Sequence, residues 1–145
     1  MVDEYVRTLL DKIGVMAGGR WVSEQKNADG TPKIEWTYEW SPCKRVLRGT
    51  ERIYDVVCET RLGWDPVEER IYYIDIHGPE LVYFGYMTEE GDELVFDFEA
   101  IVGPEGVFRT RGRFLDENTY RSRIQKVEDG VAKDVHEVRL VRIRD

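Results

Sequence analysis

Apolar and polar residues alternate along most of this chain, and the period changes once, near Trp21. Before that point Val6, Leu9, Leu10, Ile13 and Met16 recur at helical spacing, with Asp3, Glu4, Arg7, Asp11 and Lys12 on the other side. The pattern predicts a helix over 2–16, with Asp3 as its N-cap and Gly14 or Gly18-Gly19 at its end, its apolar stripe packed on the rest of the chain. After Trp21 the period falls to two. Candidate strands cover 20–26, 34–40, 45–57, 58–62, 68–77, 81–88, 92–102, 107–114, 119–127 and 131–143, and the stretch 45–62 reads as one bent strand or two. Short strands at regular spacing predict a closed or sandwiched all-β fold.

Three loops set the expected register. Glu89-Glu90-Gly91, Pro104-Glu105-Gly106 and Glu128-Asp129-Gly130 each place glycine third, as in a three-residue hairpin whose last residue takes positive φ. The first loop sets Tyr86 against Leu94, Phe84 against Phe96 and Val82 against Phe98. The second opposes Glu99 to Arg111 and Asp97 to Arg113 on the water side, and sends Phe98, Phe108, Gly112 and Phe114 inward with Leu94 and Phe96. The third sets Ser122 against His136 and Tyr120 against Val138. A three-residue connection near Gly78-Pro79 puts Tyr72, Ile74 and Ile76 beside Val82, Phe84 and Tyr86, with Arg70 on the same face. Trp36, Tyr38 and Trp40 share a face opposite Glu35, Thr37 and Glu39. The fold expected is all-β: an up-and-down antiparallel β-barrel of about eight to ten strands, with one N-terminal helix, in a single domain over 1–145.

The inner face so derived carries Trp36, Tyr38, Trp40, Arg70, Tyr72, Phe84, Tyr86, Phe96, Phe98, Phe108, Phe114, Tyr120, Ser122 and His136, and these are the candidate ligand-binding residues. A packed core is one reading of so many rings, and a ligand cavity the other. His136 opposite Ser122 is an acid–base pair or a hydrogen-bonded core histidine. His136 and Tyr120 are the candidate catalytic groups if the chain is an enzyme. No acidic residue is in view to orient the histidine. With two histidines and no Cys-x-x-Cys, no metal is expected; Asp75 and His77 share a face, but a third ligand is not evident. Calcium-loop spacing and a glycine-rich phosphate loop are absent.

Charge narrows the partners. The chain has 145 residues, with Lys plus Arg 21 and Asp plus Glu 29, a net charge of -8. That balance argues against nucleic acid and against an anionic membrane surface. No segment approaches the roughly 20 apolar residues of a membrane span. Met1-Val2-Asp3-Glu4 does not begin a secretory signal, so a cytoplasmic location is expected. Cys43 and Cys58 are then expected as reduced thiols, a single bridge between them being the alternative.

Gly19-Arg20-Trp21 follows the helix and opens the first strand, and Ile34-Glu35-Trp36-Thr37-Tyr38-Glu39-Trp40 and Gly63-Trp64-Asp65-Pro66 come after it. With the hairpins behind them, these segments give a chain that resembles the lipocalin-like, or calycin, superfamily, and most of all its uncharacterised bacterial lipocalin-like domains. The resemblance implies that Trp21 plugs the closed end of a barrel and that a basic residue of the last strand, Arg139 or Arg142, lies across it. Nitrobindins are haem-binding relatives of the same shape with a histidine on a late strand, as His136 is here. The second half of their glycine motif is missing, Trp21 being followed by Val22-Ser23-Glu24, and no cofactor is expected. Gly18-Gly19-Arg20-Trp21-Val22 is also similar to a short stretch of the phenolic acid decarboxylases. The expected function is binding of a small apolar or aromatic molecule inside the barrel. The alternative is a small-molecule enzyme of cyclase, isomerase or decarboxylase type using His136 and interior tyrosine or arginine groups. A third reading is a homodimer built on an outward patch such as Tyr73 and Tyr83.

Overall fold

The structure, a computed structural model, describes residues 4–104 and 106–144, with Tyr5 and Val6 described by backbone alone. The expected N-cap Asp3, the start of the helix at Val2, the side chain of Val6 and the turn residue Glu105 lie outside the described residues.

Helix α1 (Glu4–Gly14) is followed by ten strands: β1 (Arg20–Ser23), β2 (Ile34–Trp40), β3 (Val46–Ile53), β4 (Val56–Asp65), β5 (Arg70–Ile76), β6 (Val82–Glu90), β7 (Glu93–Val102), β8 (Val107–Asp116), β9 (Thr119–Glu128) and β10 (Val131–Ile143). Each strand pairs antiparallel with its neighbour in sequence, and β1 also pairs with β10, which closes the barrel. The stretch 45–62 is two strands, broken at Tyr54-Asp55, where Tyr54 takes φ 55°. Leu9 and Ile13 of α1, and Met16 just after it, are buried in the same cluster as Trp21, Leu47, Leu62, Ile71, Met87 and Leu140, so the helix closes one end of the barrel.

Trp21 sits in that closed end at 1% exposure and donates its indole N–H to the Met16 carbonyl at 3.0 Å. The guanidinium of Arg142 lies 4.3 Å above its ring. Arg142 also donates to the carbonyls of Val15, Ala17, Gly18 and Glu117, tying the end of the last strand to the helix–strand junction and to the β8–β9 turn. Arg139 is the outward alternative and pairs with Glu24 at 3.4 Å.

The expected register holds in part. At the first hairpin the ladder runs to Glu90↔Glu93, so the loop is Gly91-Asp92, two residues with Gly91 at φ 62°. The loop is one residue shorter than expected and starts two residues later, which displaces the ladder by three, so that Tyr86 meets Asp97 in place of Leu94 and Phe84 meets Glu99 in place of Phe96. An odd displacement turns a strand over. Strand β6 therefore presents Tyr83, Gly85 and Met87 inward, and Val82, Phe84 and Tyr86 outward. The pairing Tyr72↔Tyr86, Ile74↔Phe84 and Ile76↔Val82 is as expected, so β5 turns over with β6. Arg70, Tyr72, Ile74 and Ile76 face out, while Ile71, Tyr73 and Asp75 face in. Tyr73 and Tyr83, expected outside, are inside.

The β7–β8 ladder is displaced by four residues, with Asp97↔Arg109 and Glu99↔Val107 in place of Asp97–Arg113 and Glu99–Arg111. An even displacement keeps the face, so Leu94, Phe96, Phe98, Phe108, Gly112 and Phe114 remain inside. The guanidinium groups still meet carboxylates on the water side, with different partners: Arg109 with Asp97 at 2.6 Å, Arg111 with Glu90 at 2.6 Å and Arg113 with Asp92 at 3.2 Å. The third hairpin also has a two-residue loop, Asp129-Gly130, both at positive φ. A bulge at Val135 then restores the face of His136, which pairs with Ile124 while Ser122 pairs with Val138.

Candidate functional site

The barrel is hollow. A cavity of about 500 Å³ runs from Met16, under the helix, to the opposite end, where Ile53, Tyr54, His77, Tyr83, Phe98, Phe108 and Val135 form its mouth. Rings make up most of the wall: Trp36, Tyr38, Tyr73, Tyr83, Phe96, Phe98, Phe108 and Tyr120. Tyr83 meets Phe98 and Phe108 edge-on at 5.5 and 5.6 Å, and Tyr73 packs on Phe96 and Phe98 at 5.5 and 5.4 Å. Such contacts hold rings in fixed orientations. Space for them comes partly from glycine: a Cβ at Gly49 would overlap the Tyr38 ring, and one at Gly112 would overlap the Tyr120 hydroxyl. The hairpin ends around the mouth carry exposed Tyr54, Val56, Val57, Ile101, Val102, Val107 and Val131, an apolar rim.

One side of the cavity is acidic. Glu51 on β3 and Asp75 on β5 are both 5% exposed and line it. Glu51 accepts the Tyr38 hydroxyl. Asp75 accepts from Thr60 at 3.3 Å and from His77 Nε2 at 2.8 Å. His77 Nδ1 lies 3.3 Å from the Cys58 sulfur. Because the carboxylate only accepts, Nε2 carries a proton, and in the neutral ring Nδ1 accepts from the thiol. Burial, reinforced by Asp75, pushes the Glu51 carboxyl up to about 8. The hydrogen bond to Asp75 raises the His77 pKa. Burial pushes the Cys58 thiol up to about 12, with the charges of Asp75 and Glu51 adding to it. Tyr38 and Tyr73 are raised as well, by burial first and then by the same carboxylates. Among the described residues no lysine or arginine lines the cavity.

Cys58, Asp75 and His77 bring ligand-type atoms within 4.8 Å of one another, so Cys58 is the third group that spacing alone does not reveal. As placed, Cys58 and Asp75 engage opposite nitrogens of the imidazole. The ring bridges them as a hydrogen-bond relay and does not form one corner of a chelate. Both cysteines are free thiols, Cys43 exposed and Cys58 buried. A hydrogen bond with Ser41 lowers the Cys43 pKa. In native protein one thiol is therefore expected to react with Ellman's reagent within minutes at pH 8, and the second only after denaturant is added. Two fast thiols would contradict the burial of Cys58.

Of the residues expected at the site, Trp36, Tyr38, Phe96, Phe98, Phe108, Tyr120, Ser122 and His136 line the cavity. Trp40 and Phe114 lie deeper, Trp40 against α1 at Gly14 and Phe114 against Trp21 at 6.0 Å. Arg70, Tyr72, Phe84 and Tyr86 stand outside: Arg70 covers the Tyr86 ring at 4.0 Å and pairs with Glu68, and Tyr72 lies over Gly63. Glu51, Tyr73, Asp75 and Tyr83 also line the cavity and were not expected there, and Thr60 and Cys58 touch Asp75 and His77 without lining it. Among the described residues, the indole N–H of Trp36 and Nε2 of His136 are buried without a hydrogen-bond partner. Among the described residues no helix is long and apolar enough to cross a membrane.

Against known proteins, no family model matches the chain. No curated protein matches it either.

Proposed function

We propose that this is a lipocalin-like binding protein that holds a small, flat, largely apolar molecule inside its barrel. The observation that carries the reading is the cavity of about 500 Å³, open at one end, walled by rings and rimmed by exposed aliphatic side chains. Its size lies within the range of small-molecule sites, and rings supply contact area with little conformational entropy to lose. The buried, unpartnered Trp36 and His136 nitrogens are polar points that an occupant of the cavity would satisfy.

Titration of the neutral fluorophore N-phenyl-1-naphthylamine tests this. Emission is expected to rise saturably with micromolar affinity, and to fall when Phe98 is replaced by Asp at the mouth. No enhancement, together with no small molecule extracted from the purified protein, would overturn the reading.

Acid–base catalysis in the same cavity is the second reading, favoured by Glu51, whose carboxyl titrates near neutrality beside Asp75 and His77. The proton-transfer role proposed from sequence for His136 then moves to Glu51. A catalyst would lose turnover in Glu51→Gln while keeping affinity for substrate, whereas a binder has no turnover to lose.

A further inference from the structure

We propose that the ligand carries a protonated amine, whose ammonium group sits between Glu51 and Asp75 while its aromatic or aliphatic body lies among Tyr83, Phe98 and Phe108. This rests on the reading of the barrel as a ligand site and names the class of ligand.

Three observations carry it. First, the two carboxyl groups lie on one side of the cavity, each 5% exposed, with no lysine or arginine among the described lining residues. An anionic ligand would meet two carboxyl groups and no lysine or arginine, and the basic group beside them, His77, is already held by Asp75 at 2.8 Å. A buried charge without a partner is strongly disfavoured. Second, Tyr73, Tyr83, Phe98 and Phe108 line the same cavity as the carboxyl groups, and aromatic rings attract an organic cation electrostatically where a hydrated metal ion is not well served. A chelated metal is further disfavoured because Cys58 and Asp75 hold opposite edges of the His77 ring. Third, Trp36 and His136 line the cavity, and among the described residues their Nε1 and Nε2 atoms are buried without a hydrogen-bond partner. An oxygen on the ligand body would satisfy the indole N–H.

The carboxyl groups are also prepared for exchange. At neutral pH the Glu51 carboxyl holds its proton, because burial and Asp75 both oppose its ionisation. An arriving ammonium takes over the role of that proton, so Glu51 ionises as the cation binds. The ammonium then stands in place of the Glu51 proton, and the net charge of the site is unchanged. One O–H bond of Glu51 breaks, and its proton passes to solvent.

The test compares three probes of matched size, 2-phenylethylamine, 2-phenylethanol and 3-phenylpropanoate, each displacing N-phenyl-1-naphthylamine from the full chain at pH 7.5. The amine is expected to compete at least tenfold more tightly than the alcohol, and the carboxylate not at all. Glu51→Gln and Asp75→Asn are each expected to remove most of the amine's advantage while leaving the alcohol within about threefold of its wild-type affinity. Equal competition by alcohol and amine, or an amine preference that survives in both variants, would overturn the ammonium assignment and leave the ligand site standing. Failure of the fluorophore to bind, together with no small molecule extracted from the purified protein, would overturn both.

Discussion

Arg142→Met is expected to be the most damaging single substitution in the barrel, lowering unfolding free energy by about 3–5 kcal/mol, read as a shift of the urea midpoint at unchanged slope. Arg142 is 7% exposed and donates to four backbone carbonyls, those of Val15, Ala17, Gly18 and Glu117. Methionine fills much of the same volume and can still cover the Trp21 ring, but it strips the donor from all four oxygens, and only those of the exposed Gly18 and Glu117 turn readily to water, while Val15 and Ala17 are half-buried. Part of the gain is offset in the wild type. The guanidinium is itself desolvated, which lowers its pKa, and its Nε has no partner. Arg142→Lys separates charge from shape. One ammonium cannot span four carbonyls or stack as a plane, so it should recover less than half of the loss. A methionine variant within about 1 kcal/mol of wild type would show that the closed end is held by packing of α1 alone.

Glu51→Gln is expected to act in the opposite direction, and only above a certain pH. In the unfolded chain the carboxyl has its ordinary pKa of 4.5, and in the fold it is pushed up to about 8. Below 4.5 both states hold the proton and the group is neutral to stability. As pH rises from there towards 8 the unfolded state releases its proton while the folded state retains it, so the wild type loses stability across this window, and the loss is complete above it. Glutamine is close in shape to the protonated acid, accepts the Tyr38 hydroxyl in the same way and cannot ionise. The variant should therefore be more stable than wild type at pH 9, by on the order of 3 kcal/mol, and no more stable at pH 4. Thermal or urea unfolding of the two proteins at half-unit pH steps measures this; parallel curves would show that Glu51 is not buried beside Asp75.

The same two residues show what the sequence could and could not reveal. The helix was legible from its apolar stripe, and the place of Trp21 at the closed end only through the resemblance that Gly19-Arg20-Trp21 carries. Strands β7 to β10 were legible on their inner faces even where partners were misread. A four-residue displacement preserves facing, and at the last hairpin a short loop and the bulge at Val135 cancel. Asp129-Gly130 is in fact a strong two-residue turn signal, since both residues tolerate positive φ. Strands β5 and β6 were not legible. Their outer positions Tyr72, Ile74, Phe84 and Tyr86 are more apolar than the inner Tyr73, Asp75 and Gly85, so alternation favoured the wrong face once the Gly91 loop was read a residue too long. Glu51 and Asp75 were hidden for the same reason. A lone carboxylate in an alternating strand reads as solvent-facing, and only three-dimensional closure brings the two to one side of a cavity. Cys58 joins them through the β3–β4 pairing with Glu51, which spacing along the chain does not encode.

The barrel closes where β1, four residues long, lies against β10, with Trp21 aligned to Arg142. Every other strand finds its neighbour next to it in the chain, but this seam joins opposite ends of the sequence. During synthesis from the N-terminus, nine strands can zip in order while the indole of Trp21 stays uncovered, waiting for the arginine made 121 residues later. Until then the sheet is an open ribbon with two free edges, and ring closure is the step at which the growing chain stops being vulnerable to pairing with its neighbours.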